Sequence, residues 1–172
     1  VFAFAVLSTG LLSSQTAHEA VTGGLGETAT ILGTKGSVVA RSTGSPLTLE
    51  RVVIPIATAP GTAKTVDLTT STVAVTYTDV DDFANVPWNA NADTAGPNIG
   101  WVINWLGPST PDALDVTEQA VIVVNINDGG TLVTTRPGAG GAFTVQIRPA
   151  RGKLLEVTRV LPTGMTQVVS ID

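Results

Sequence analysis

One stretch of the chain carries side chains that could bind a metal ion. Asp79, Asp81 and Asp82 lie close together, and Asn85 follows them. Hard cations such as calcium take several carboxylate oxygens at short range, so this group is the candidate metal site of the sequence. It does not match an EF-hand loop, because the sixth position is not glycine and the twelfth is Ala90 instead of glutamate. We therefore favour an acidic loop over a calcium site.

The sequence contains no residue set that is typical of catalysis or of cofactor binding. His18 is the single histidine, and the chain has no cysteine with which it could share a metal or form a nucleophile. Neither a G-x-S-x-G elbow nor a G-x-x-x-x-G-K-[ST] phosphate loop occurs. The glycine-rich segment 138–141 lies between two β-like runs and predicts a hairpin. We expect no enzymatic activity, no catalytic residues and no cofactor.

Three tryptophans could stack on sugar rings, namely Trp88, Trp101 and Trp105. Trp101 and Trp105 are four residues apart in one predicted strand, so they face the same side of a sheet. This placement favours a position in the core or in a subunit contact over a carbohydrate site. The chain has no Asn-x-Ser/Thr sequon, so glycans attached to Ser or Thr are the kind that the sequence leaves open.

Charge and size limit the partners further. The chain has 172 residues and a formal net charge of -5, which repels nucleic acids. Its length suits one globular body with an appended segment. Only 13% of the residues are charged, while Thr and Ser are frequent, and threonine is favoured in β-strands.

An apolar helix is predicted at the N-terminus. Residues 1 to 12 are apolar on every helical face, and such a helix must be buried on all sides. They are too few to span a bilayer, which needs roughly 20 residues, so we interpret them as the end of a longer apolar helix. From Gln15 to Leu32 the apolar residues recur at spacings of three and four, which predicts an amphipathic continuation. Glycines at 23, 24 and 26 predict a bend in it. We assign residues 1 to 35 to this helical segment.

Residues 36 to 172 predict an antiparallel β-sandwich of the immunoglobulin-like kind, because short β-branched runs alternate with Gly, Pro, Asn and Asp. Asn127 to Gly130 is predicted to form a hairpin turn, and Asp79 to Gly100 a surface loop. The strands are predicted at 37–41, 47–58, 65–68, 73–78, 101–106, 120–126, 131–135, 143–147, 154–160 and 167–171.

Both ends of the chain resemble the archaellins, the archaeal-type flagellins of the type IV pilin-like class. The first matching segment is Val1 to Leu11, followed by Gly36 to Ala40. The second is Trp105-Leu106, with Glu118 before the apolar run 120–124. The third consists of the runs 143–149 and 152–154 with Arg159 and Pro162, whose order is similar to the family's terminal β-hairpins. The middle of the chain, from about Pro60 to Ile99, carries no such match.

The resemblance implies a structural subunit of an extracellular motility filament on a prokaryotic cell surface. Many copies would form an open helical filament, and the subunit would contact a membrane only before assembly. The helices would pack in the filament core through seven apolar residues: Val1, Phe2, Phe4, Val6, Leu7, Leu11 and Leu12. Two alternatives stay open at this point. One is an adhesive type IV-like pilin, and the other is a secreted carbohydrate-binding β-sandwich module.

Overall fold

The computed structural model describes residues 31–59, 65–107, 112–127, 129–131 and 133–172, and all of its regular elements there are β-strands. In chain order they are β1 (Leu32–Thr34), β2 (Val38–Thr43), β3 (Thr48–Thr58), β4 (Val66–Asp67), β5 (Ala74–Asp79), β6 (Phe83–Val86), β7 (Gly100–Leu106), β8 (Ala113–Leu114), β9 (Gln119–Asn125), β10 (Ala142–Arg148), β11 (Leu155–Val160) and β12 (Val168–Ile171). Within the described residues, no helix has the length and hydropathy that a membrane crossing needs.

The larger sheet has six strands and is antiparallel. Its order is β12-β2-β3-β9-β7, and β1 pairs with the last part of β3. A proline lies in the middle of β3, at the point where its neighbour changes from β2 to β1. The carbonyl oxygen of Pro55 accepts the N–H of Lys35 at 2.9 Å there. The chain turns at Gly36, which has φ of 109°, so Pro55 has no regular partner in either β1 or β2. No strand hydrogen bond therefore depends on the N–H that proline lacks.

The smaller sheet has four antiparallel strands in the order β11-β10-β5-β6, and β4 pairs with β8 as a separate ribbon. The burial pattern of β10 explains why its residues form a strand with one buried side. Phe143, Val145 and Ile147 are fully or almost fully buried, and the residues between them are more exposed. This period of two directs one side of the strand toward the core.

One hydrophobic core joins the two sheets. It contains Val52, Ile54 and Ile122 from the larger sheet and Tyr77 and Val145 from the smaller one, among others. The rings of Tyr77 and Phe143 stack with their centroids 6.3 Å apart. The mainly β, antiparallel class predicted from the sequence is therefore confirmed, while the immunoglobulin-like assignment within that class stays a prediction.

Several predicted elements differ from the structure. The predicted loop from Asp79 to Gly100 contains strand β6, and the predicted strand 131–135 is absent among its described residues. Asn127 to Gly130 consequently does not close a hairpin, since β9 is followed by β10 in the other sheet. Leu32 to Thr34 form β1 and Ile31 forms a bridge with Lys153, so a helix assigned to residues 1 to 35 must end before Ile31. The rest of that helix lies outside the described residues.

Candidate assembly surfaces

The acidic cluster forms a turn that joins β5 to β6. The Oδ1 atom of Asp79 accepts the backbone N–H groups of Asp81 at 2.9 Å and Asp82 at 2.7 Å. Its Oδ2 atom accepts the hydroxyl of Tyr77 at 2.8 Å. A short acidic side chain that accepts backbone N–H groups two and three residues on is a common way to fix a tight turn. Asp79 therefore stabilises the hairpin.

Asp82 links this turn to a distant segment of the chain. Its carboxylate accepts the hydroxyl of Thr134 at 3.0 Å and the backbone N–H of Thr135 at 2.9 Å. Among the residues that the structure describes, no group of three Asp, Glu or His side chains could hold a metal ion. In the sequence-based calcium candidate, the carboxylates of Asp79 and Asp82 thus hold local structure, while Asp81 contributes its backbone N–H to the turn.

Tyr77 is the one group of this region whose proton affinity changes strongly. Its side chain is fully buried under the turn. Burial raises the pKa of the Tyr77 hydroxyl far above its ordinary value, and the hydrogen bond to Asp79 and the nearby carboxylates raise it further. The hydroxyl stays a neutral donor throughout the range in which proteins normally function.

The tryptophans do not form an open binding platform. Trp101 is 1% exposed and belongs to the core, while Trp105 is half-buried and packs against the core. Trp88 is 50% exposed and lies beside Trp101 in an isolated parallel bridge. The prediction that Trp101 and Trp105 face the same side of the sheet is confirmed, and of the two expected positions, core or subunit contact, that side is the core. A sugar platform built from all three rings is not formed.

The segment between β6 and β7 is fixed by buried polar groups of the larger sheet. Glu50 and Arg51 are adjacent in β3, and each is less than 10% exposed. The Oε1 atom of Glu50 accepts the N–H of Gly96 at 2.8 Å, and Arg51 donates to the carbonyl oxygen of Asp93. Asn125, which is fully buried, donates to the carbonyl oxygen of Gly96 at 3.4 Å. These side chains hold the segment against one end of the sheet.

The outer face of the smaller sheet is polar. The hydroxyls of Thr144 and Thr158 are 2.9 Å apart, and Gln146 donates to Glu156 at 2.8 Å. A shallow concavity of about 320 Å³ lies on this face, beside Phe83 and Arg148. The polar side chains of this outer face hydrogen bond to one another across the strands, which is typical of a solvated sheet face.

The outer face of the larger sheet is different, because a row of valines crosses it. The row runs across four neighbouring strands, from Val39 in β2 to Val53 in β3, Val123 in β9 and Val102 in β7, and each valine is paired with the next. The next row along the strands contains Pro55, Val121 and Asn104, and the row after it contains Ala57, Gln119 and Leu106. We call these ten positions the valine face. Val123 and Ala57 are almost fully buried, yet neither belongs to the core between the sheets.

Sequence reasoning did not predict the valine face, although a signal was present. Residues 52–57 in β3 and 120–124 in β9 are uninterrupted apolar runs. Strands with one solvated face alternate between apolar and polar residues, whereas continuous runs indicate burial on both faces. The seven residues predicted for filament-core packing, from Val1 to Leu12, and His18 lie outside the described residues.

Comparisons with known proteins give a consistent result. Residues 1–159 match the model of the family described as archaeal-type flagellin. "Probable flagellin 1" of Archaeoglobus fulgidus is 20% identical over 98% of this chain and 84% of that protein. "Probable flagellin 1" of Aeropyrum pernix is 25% identical over 95% of this chain and 83% of that protein.

Two solved structures share the fold. The archaeal flagellum of Methanospirillum hungatei strain JF1 aligns with a TM-score of 0.70 at 19% identity, over 99% of this chain and 88% of that chain. The crystal structure of flagellin FlaB1 from Methanocaldococcus jannaschii aligns with a TM-score of 0.66 at 13% identity, over 83% of this chain and 96% of that chain.

Proposed function

The chain belongs to the archaeal-type flagellin family, and from this premise we propose that it polymerises through its apolar N-terminal segment into an open helical filament. Its role as a structural filament subunit follows from the family, whose model matches residues 1–159. That match is the observation that carries the proposal. It also sets aside the alternatives of an adhesive pilin and of a secreted sugar-binding module.

The hydrophobic effect supports assembly through the N-terminal segment. The seven apolar residues predicted to pack there are Val1, Phe2, Phe4, Val6, Leu7, Leu11 and Leu12. Burying each contributes about 1.5–3 kcal/mol, which gives roughly 10–20 kcal/mol per subunit. The cost of association is about 4–15 kcal/mol. The segment can therefore drive polymerisation, and contacts between β-domains need to set only the geometry.

Small residues favour close packing of such helices. Ala3, Ala5, Ser8 and Gly10 are interspersed among the large apolar residues. Small side chains allow helix backbones to approach each other in apolar surroundings. A heterologous contact of this kind, which does not close on itself, extends into an open filament. The part of the predicted segment 1 to 35 that precedes Ile31 would then form the filament core, and the β-domain its outer layer.

The proposed location is the outside of a prokaryotic cell, with a membrane contact only before assembly. The subunit acts as a passive mechanical element that provides stiffness and shape, and it needs no cofactor for this role. If the chain carries glycans, Ser and Thr hydroxyls are the acceptors that its sequence offers, because it has no Asn-x-Ser/Thr sequon.

The experiment compares two Phe→Asp variants by electron microscopy of assembled material. Phe4→Asp places a charge in the apolar segment, where burial of an unpaired charge is costly, and we expect it to abolish filaments. Phe83→Asp makes the same chemical change on the polar face of the β-domain, where Phe83 is 65% exposed, and we expect filaments to persist. Circular dichroism should show the β-domain folded in both variants. Filaments of Phe4→Asp would overturn the assembly mechanism.

A further inference from the structure

The valine face is apolar on a sheet whose other side already forms the core. An antiparallel sheet with one core side normally presents polar residues on its second side. The smaller sheet follows this rule with Thr144, Gln146 and Thr158. On the valine face, by contrast, none of the ten positions carries a charge, and Asn104 and Gln119 are the polar ones. An apolar patch of this kind on an outer sheet face is typical of an interaction site.

The dimensions of the valine face indicate how much of an interface it supplies. Its three main strands, spaced about 4.8 Å apart, and five residues rising about 3.4 Å each cover roughly 240 Å². A stable protein interface buries about 800 Å² per partner. The valine face is thus smaller than a complete interface. It suits one contact among several, which is the situation of a subunit surrounded by neighbours.

We propose that the valine face is a contact surface between subunits, covered in the filament by a second copy of this chain. This inference rests on the proposed function. A charge-free surface selects a charge-poor partner, because an unpaired charge buried against valines is strongly unfavourable. A second copy meets that condition, since only 13% of its residues are charged, compared with about 25% in typical proteins.

Leu106 makes the valine face testable without disturbing the core. It lies at the margin of the face and is 55% exposed. Leu106→Lys therefore costs little in the isolated subunit, yet it places a charge inside the proposed contact. We expect the protein concentration needed for assembly to rise roughly tenfold or more, which is the effect of about 1.4 kcal/mol. Val121→Lys, nearer the centre, should raise it further.

Val160→Lys is the matched control. Val160 is 60% exposed and lies in β11, at a position paired with the exposed Ala142 on the polar face. Like Leu106→Lys, this substitution replaces an apolar side chain of similar exposure with lysine. We expect assembly close to that of the unmodified chain. An equal effect of Leu106→Lys and Val160→Lys would contradict the proposal, because it would indicate a response to charge in general.

Cross-linking identifies the partner directly. A photoreactive residue at position 121 is introduced into full-length chains that carry either normal or heavy nitrogen, and the two are mixed before assembly. We expect cross-linked peptides that combine both labels, since they can arise only between copies. Cross-links within one label only would mean that the chain covers its own valine face, and the proposal would be wrong. Unmodified chains that form no filaments would instead overturn the proposed function itself.

Discussion

The side chain of Arg159 donates from Nε to the carbonyl oxygen of Ile171 at a distance of 3.1 Å. Arg159 lies in β11, the edge strand of the smaller sheet, and Ile171 lies in β12, the edge strand of the larger one. The same guanidinium donates from Nη1 to the carbonyl oxygen of Thr158 at 2.9 Å. One arginine therefore connects the two sheets at their edges and holds the last strand in place.

Replacing this arginine should loosen β12. Arg159→Met keeps much of the side-chain length but removes both donors, and we expect a loss of about 1–3 kcal/mol in the free energy of unfolding. Chemical denaturation measures the loss, and faster hydrogen exchange at Val168 to Ile171 should accompany it. Arg148→Met, at an exposed position on the polar face, is the control and should change stability little. Equal losses in both variants would contradict a specific role for Arg159.

Tyr77 should make stability depend on pH under alkaline conditions. Its folded-state pKa is raised, mainly by burial, whereas in the unfolded chain it is about 10. Below that pH Tyr77 is neutral in both the folded and the unfolded state, so its contribution to the free energy of unfolding is fully present. Above it the unfolded state loses a proton that the folded state keeps, so the free energy of unfolding falls by about 1.4 kcal/mol per pH unit.

The same residue provides the measurement. Tyr77 is the single tyrosine of the chain, so absorbance of the ionised phenol reports on it alone. We expect this absorbance to appear together with unfolding and not before it. Tyr77→Phe should lack the extra alkaline slope, and below pH 10 it should lose about 0.5–1.5 kcal/mol with the hydrogen bond to Asp79. Ionisation of Tyr77 in the folded protein near pH 10 would contradict this explanation.

Gly100 is required where the segment before β7 approaches the strand. A Cβ at this position would lie 3.0 Å from the carbonyl oxygen of Pro87 and would overlap the side chain of Asn89. The residue also has φ of 152°, which side chains rarely adopt. We expect Gly100→Ala to cost about 1–3 kcal/mol, because overpacking forces the backbone to shift. Thermal unfolding should show little change in Gly164→Ala, where a Cβ meets no atom within 4 Å.

Glu50 and Arg51 should behave as a coupled pair. The Nε atom of Arg51 lies 3.9 Å from Oε2 of Glu50, and both side chains are buried. Arg51→Met leaves Glu50 buried without its cation, and we expect a loss of about 3–5 kcal/mol together with faster proteolysis near Asp93. Adding Glu50→Gln should recover part of the loss in a double-mutant cycle. Additive losses would show that the two side chains act independently.

The sequence predicts the β-rich class because local patterns determine it. Strands β2, β3, β4, β5, β7, β9, β10, β11 and β12 all overlap predicted runs. Strand β6 was missed because Asp79 to Asp82 is typical of a loop, and only pairing with β5 makes Phe83 to Val86 a strand. Conversely, the run 131–135 has strand propensity, but Thr134 and Thr135 hydrogen bond to Asp82. Tertiary contacts override propensity in both cases.

The candidate assembly surfaces were predictable to a lesser degree. The N-terminal segment is visible in the sequence because a continuous apolar run needs no partner strand to be recognised. The valine face depends on register, since Val39, Val53 and Val123 come together only when three strands pair in one alignment. Glu50 and Asn125 hold the segment near Gly96 through hydrogen bonds. These residues are far apart in the chain, so no local pattern in the sequence indicates the contacts.

The bridge between Trp88 and Trp101 has a consequence for how this protein avoids misassembly. The N–H of Trp101 donates to the carbonyl oxygen of Pro87 at 2.9 Å, and its carbonyl oxygen accepts the N–H of Asn89 at 3.0 Å. These groups lie on the free edge of β7, where an incoming strand from another molecule would otherwise add. A protein that must self-associate at high local concentration thereby blocks part of the route to amyloid-like cross-β growth.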